Sequence, residues 1–154
     1  DSSTTAASLI PYLSPHQNLR VITNGIEAAR LLNNFENVTL FLSGGHIDFG
    51  TNSALGDFAS QFINNFHADL AFFSCRGLDR SAAYEANHNQ AMIKQQMIAN
   101  ADKSILLADH SKFNTSHYFK LSNYSALDYI VTDQSPIESF QDTVGPHCEI
   151  LWGS

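Results

Sequence analysis

The chain has 154 residues, with eight lysines and arginines against fifteen aspartates and glutamates, a formal net charge of −7 and a pI near 5.3. This balance excludes a nucleic-acid reader acting alone, because such modules carry a basic stripe. Two cysteines, Cys75 and Cys148, are too few for a disulfide framework and lack metal-finger spacing. No apolar run reaches the roughly 18 residues of a membrane span.

The polar start Asp1-Ser2-Ser3-Thr4-Thr5 is no secretory signal. A soluble protein of the reducing cytoplasm is expected, without membrane contact. The start, lacking a methionine, is expected to be the beginning of a fragment. The 44% apolar and 15% charged shares describe one globular domain, 1–154, with part of its weakly charged surface covered by a partner.

In chain order, Ser2 to Thr5 open an apolar helical pattern through Ala6, Ala7, Leu9 and Ile10. Strands follow at Leu19–Thr23 and Val38–Ser43, with a helix over Ile26–Leu32 between them. A helix is predicted over Ser53–Phe66 from the spacing of Phe58, Phe62 and Phe66. Further strands fall at Leu70–Ser74, Ser104–Ala108, Tyr129–Thr132 and Glu149–Trp152. A helix over Asn89–Ala101, with Ile93 and Met97 on its apolar face, precedes the second of these. The stretch 113–128 reads as a short helix or an ordered loop, and the tail from Ser135 as a last helix and strand. Apolar runs without strict alternation are what strands buried on both faces look like. Strand alternating with helix gives parallel βαβ units and an α/β fold.

In open α/β sheets ligands bind at the carboxyl ends of the strands, and polar residues gather there. Ile105-Leu106-Leu107-Ala108 stops abruptly at Asp109-His110-Ser111-Lys112. Thr23-Asn24-Gly25 and Ser43-Gly44-Gly45 end two other strands, where small residues let a ligand approach the backbone, although both are also common turn sequences. Ser74-Cys75-Arg76-Gly77-Leu78-Asp79 ends another. Arg76 offers a fork for phosphate or carboxylate, and Asp79 an acceptor for a sugar hydroxyl. Both also fit a surface ion pair, and Cys75 reads as a buried, inert thiol.

Ser2, Ser3, Thr4 and Thr5 suit either a phosphate site or an ordinary helix cap. Lys94, near Glu85 and Gln90, serves a ligand or is a solvated charge. The seven histidines show no metal-binding spacing, so no metal is expected. Neither G-x-G-x-x-G nor a phosphate loop of the Walker type occurs, and no G-x-S-x-G elbow, so no cofactor is expected.

In this order, Asp1-Ser-Ser-Thr-Thr, Thr23-Asn24, Gly44-Gly45, Gly77-Leu78-Asp79, Lys94 with Met97, Ala108-Asp109-His110-Ser111-Lys112-Phe113 and Thr132-Asp133 resemble the C-terminal sensor domain of DeoR-type bacterial transcriptional regulators. The resemblance implies a three-layer α/β sandwich with a mainly parallel, Rossmann-like sheet, similar to ribose phosphate isomerase, the glucosamine phosphate isomerases and the CoA transferases. It implies a non-enzymatic effector-binding and oligomerisation domain of a repressor of sugar metabolism, with no catalytic residues.

Its partners would be a phosphorylated sugar or related metabolite, other copies of the chain, and operator DNA reached only through a winged helix-turn-helix domain upstream. The effector contacts would be Ser2, Ser3, Thr4, Thr5, Thr23, Asn24, Gly44, Gly45, Arg76, Asp79, Lys94, Asp109 and Lys112. Arg76 and Gln90 stand where many relatives carry aspartate and glutamate. Neither can act as the carboxylate base of an isomerase. An isomerase-like enzyme, with Asp79, Glu85 or Asp109 as base and Lys94 or Lys112 assisting, is the alternative.

Overall fold

A computed structural model of the chain describes residues 1–136 and 138–153. From the N terminus run α1 (Thr4–Ala7), β1 (Leu19–Thr23), α2 (Ile26–Leu32), β2 (Val38–Leu42), β3 (His46–Asp48), β4 (Ser53–Leu55), α3 (Asp57–Ile63) and β5 (Ala68–Ser74). Then come β6 (Gly77–Leu78), β7 (Ala83–Glu85), α4 (His88–Ala99), β8 (Ala101–Leu107), β9 (Phe119–Ser122), β10 (Tyr129–Thr132), α5 (Glu138–Val144) and β11 (Glu149–Trp152). Single 3₁₀ turns lie at Ile10–Leu13, His110–Lys112 and Tyr124–Ala126.

All six predicted strands are present, and each pairs in parallel. β5, β8, β10 and β11 form a sheet in the spatial order β11-β10-β8-β5, while β1 and β2 pair separately. α2, α4 and α5 cross between successive parallel strands, as βαβ units require. One row of that sheet places Phe73, Leu106, Ile130 and Ile150 side by side, none more than 3% exposed. Burying each such side chain contributes about 1.5–3 kcal/mol, so the row is a stiff floor just below the residues that end the strands.

α4 starts where Asn87 accepts hydrogen bonds from the N–H groups of Asn89 and Gln90, an N-cap. It ends at Ala99, and β8 begins at Ala101, so the predicted helix is slightly too long.

Two expectations need larger correction. Ser53–Leu55 is not helical. It pairs antiparallel with β3, and Gly56 at φ 88° breaks the chain before α3. The aromatic spacing misled because Phe58 is 79% exposed, while Ala59 and Ile63 form the buried face. β1 and β2 are not covered on both faces either: Thr23 alone of β1, and no residue of β2, is fully buried.

The stretch 113–128 contains β9, which joins β6 and β7 in an antiparallel sheet. Apolar packing falls into two clusters. The main one lies under α3, α4 and α5. A smaller one joins Ile10, Ala28 and Leu32 to Val21 and Leu40.

Candidate functional site at the strand ends

The first turn of the chain is held by the side chain of Asp1. Its Oδ1 accepts from Ser3 N at 3.0 Å and Ser3 Oγ at 2.6 Å, and its Oδ2 from Ser74 N at 3.0 Å. Ser3 Oγ in turn accepts from Ala6 N and caps α1. Asp1 therefore ties the Ser2–Thr5 turn to the end of β5.

Beneath it lies Lys94, 4% exposed. Its Nζ donates to Glu85 Oε1 at 2.5 Å and Ser74 O at 2.8 Å, and stands 3.3 Å from Asp1 Oδ2. Burial holds this ammonium below the ordinary lysine pKa, and the attraction of Glu85 opposes the shift. One cation between two buried carboxylates is a costly arrangement. Here it fixes Asp1, β5, β7 and α4 to one point.

The end of β1 closes the same corner. Thr23 Oγ1 donates to Asp1 O at 3.4 Å and accepts from Gly25 N at 3.1 Å. A Cβ on Gly25 would stand 2.8 Å from Ser2 Cα, so only glycine lets the two segments touch. Gly45, at φ 137°, packs as closely on Leu55 O. Ser2 Oγ lies 2.7 Å from Ser53 Oγ, and Gln90 Nε2 donates at 3.2 Å to both Ser53 Oγ and Thr51 Oγ1. Two fully buried acceptors beside this network, Asn24 Oδ1 and Ser43 Oγ, have no hydrogen-bond partner among the described residues.

At the ends of β8 and β10, Asp133 receives His110 N and pairs with His110 Nδ1, each at 2.7 Å. The hydrogen bond and charge of Asp133 raise the pKa of this exposed imidazole. Asp109 caps the 3₁₀ turn 110–112 by accepting from Ser111 N at 2.8 Å and from Ser111 Oγ, which together with Lys112 holds its carboxyl below the ordinary value. A cleft of about 200 Å³ opens here between His110, Phe113, Asn114, Gln134, Ser139 and Phe140. Burial pushes Cys75 up to about 12, against the pull of Lys94 and Lys112. The thiol is inert.

Comparison with known proteins decides the family. A model described as the DeoR C terminal sensor domain matches residues 1–134. The chain belongs to the DeoR sensor-domain family. Similar proteins include the uncharacterized HTH-type transcriptional regulator YulB of Bacillus subtilis, 33% identical over 86% of this chain and 52% of that protein. The HTH-type transcriptional repressor GlcR of the same organism is 28% identical over 92% of the chain and 55% of its own length. The glycerol-3-phosphate regulon repressor of Escherichia coli K12 is 27% identical over 96% and 59%. The chain spans about half the length of these curated relatives.

Within this DeoR-type domain, the structure gathers Ser2, Ser3, Thr23, Asn24 and Lys94 into one corner. Gly44 and Gly45 follow Ser43, whose N–H donates to Thr23 O at 2.9 Å. Thr4, Thr5 and Arg76 are exposed, and Lys112 is half-buried. Asp79 is turned away into its own loop, where its Oδ1 receives Ser81 N, Ser81 Oγ and Ala82 N.

Asp1, Ser43, Ser53 and Gln90 belong to the corner without being among the contacts expected from sequence. Ser43 had a signal, its place at a strand end before two glycines. Asp1 had one too, opening a run of hydroxyls. All seven histidines are exposed, and no group of three or more metal-ligating side chains occurs among the described residues.

Proposed function

We propose that this domain senses a phosphorylated sugar or related metabolite for a DeoR-type repressor of sugar-metabolism genes in the cytoplasm. The observation that carries the reading is the pair of buried, unpartnered acceptors, Asn24 Oδ1 and Ser43 Oγ. A buried polar group left unpaired costs about 1–3 kcal/mol. Two of them beside the Asp1–Thr5 turn support a site whose remaining bonds come from a hydroxylated ligand. The Ser2–Thr5 hydroxyls and N–H groups would take its phosphate, with Thr23, Asn24, Gly44 and Gly45 around the sugar and Arg76, Asp79, Lys94, Asp109 and Lys112 completing the contacts. Lys94 would act through Asp1, because its ammonium is already enclosed.

The names of the relatives favour a regulator over an enzyme. So does the chemistry. Glu85 and Lys94 are locked to each other, Gln90 is committed to Ser53 and Thr51, and neither Arg76 nor Gln90 can serve as a base. The domain would take the three-layer, isomerase-like form, assemble as a homo-oligomer, and follow a winged helix-turn-helix domain that contacts operator DNA. The effector would act by linkage, shifting the DNA-competent population by no more than its differential affinity for the two states.

The test is a mobility-shift assay of the intact gene product on its own promoter, with glycerol 3-phosphate and a panel of pentose, hexose and amino-sugar phosphates. At least one compound should change DNA binding, and Asn24→Ala should remove the response. A panel without effect would overturn the reading.

A further inference from the structure

We propose that the groove between β1 and β5 is a strand slot, filled in the intact protein by the residues that immediately precede Asp1, running parallel to both strands. The inference does not depend on which effector the domain binds.

The parallel strands of this fold form two separate pieces. β1 is the edge of one, β5 is the edge of the other, and neither edge is paired with another strand. Between them runs a groove of about 700 Å³, lined by every residue from Leu19 to Thr23 and from Ala68 to Phe72. An unpaired strand edge is a template for another strand, and this groove presents two. One strand in the middle would make a single sheet of the two pieces.

The groove also separates the two apolar clusters. Leu13, Ala28 and Leu32 line it from the smaller cluster, and Ile63, Ala71 and Met97 from the main core. A segment with apolar side chains on both faces would join them. It would also cover Leu70, which is 51% exposed in the middle of β5.

Asp1 identifies the occupant. It closes the end of the groove and touches both walls: its N donates to Phe72 O at 2.8 Å, and its carbonyl accepts from Thr23 Oγ1. The first contact has parallel-strand geometry, with Asp1 opposite Phe73. The carboxylate continues the ladder by accepting from Ser74 N. Chain entering at Asp1 therefore comes from the slot, already in register. Burial and the charge of Lys94 push an amine at this position down to about 5, so an uncharged peptide N–H suits it better. The relatives have ample further length for such a segment, since the chain spans 52–59% of them.

The strand would deliver its last residue directly to the turn holding Asp1, Ser2 and Ser3. The upstream part of the protein and the candidate site would then share one rigid element.

The register makes the slot testable in the intact gene product. A cysteine introduced two residues before Asp1 lies opposite Ala71, so with Ala71→Cys it should form an intramolecular disulfide under mild oxidation. A cysteine one residue before Asp1 points to the other face and should not. No link from the first pair, or a link only between molecules, which would assign the slot to a second copy, would overturn the proposal. So would a gene product that begins at Asp1.

Hydrogen exchange of the unaltered protein gives an independent reading. Amides of Val21, Ile22 and Leu70 to Phe72 should exchange at least about 100-fold more slowly than in an open edge. Exchange at the open-edge rate would refute the slot.

Discussion

Replacing Lys94 by methionine tests whether the enclosed ammonium holds the corner together. Methionine nearly keeps the volume and removes the charge. Asp1 would still receive Ser3 N, Ser3 Oγ and Ser74 N, so it loses little. Glu85, whose side chain is 4% exposed, would keep only Ala86 N at 3.2 Å. The cost therefore falls on one uncompensated buried carboxylate, about 3–5 kcal/mol, a large part of the 5–15 kcal/mol by which a domain is stable.

Glu85→Gln in the same background removes that charge. The double variant should recover most of the loss and end within about 2 kcal/mol of the parent. Urea unfolding at pH 7, followed by Trp152 fluorescence and far-ultraviolet circular dichroism, measures all three proteins. A Lys94→Met variant within about 0.5 kcal/mol of the parent, the range of ordinary surface substitutions, would show that water already solvates Glu85. The reasoning would then fail.

Other consequences are as specific. Ser43→Ala deletes a buried hydroxyl that has no partner, so the ligand-free domain should keep its stability or gain up to about 1 kcal/mol while losing effector response; a clear loss of stability would contradict this. Gly25→Ala forces a methyl to 2.8 Å from Ser2 Cα and should cost about 1–3 kcal/mol, with a matching fall in melting temperature; an unchanged melting curve would show that the turn is not fixed against β1.

The His110–Asp133 pair should make a pH window. The pKa of His110 is raised, so its contribution is full below its unfolded value and fades as pH rises through the folded one. The pKa of Asp133 is lowered, so its contribution is lost as pH falls through the folded value. Nuclear magnetic resonance titration should place His110 above 6.5 and return it toward that value in Asp133→Asn; an unmoved midpoint would discard the pair. Cys75 and Cys148, pushed up to about 12 and about 11, should resist iodoacetamide at pH 8 until the protein is unfolded.

The strands were legible because β5, β8 and β10 are short apolar runs with polar ends, a pattern that a sheet covered on both faces imposes. The β3–β4 pair was not, since its three-residue strands are too short to show alternation and Phe58 supplied a competing helical spacing. The burial of Lys94 was equally hidden. A lysine on a helix is ordinarily solvated, and nothing local in Ile93-Lys94-Gln95 announces that Asp1 and Glu85 will meet it. Their meeting is a product of topology, in which α4 returns the chain beneath the end of β5.

That topology also sorts the polar residues at the strand ends. Asp1, Glu85, Lys94, Gln90 and Asp133 satisfy one another or nearby backbone, and so build the corner without spare valence. Asn24 Oδ1 and Ser43 Oγ retain theirs, and Arg76 and Lys112 have no ion-pair partner among the described residues. Unpaired cations at the strand ends of a chain whose net charge is −7 set a local field opposite to that of the whole. An anion is guided to such a place and repelled from most others. This supports reading the unspent groups, rather than the tightly bonded ones, as the part of the site that meets a ligand.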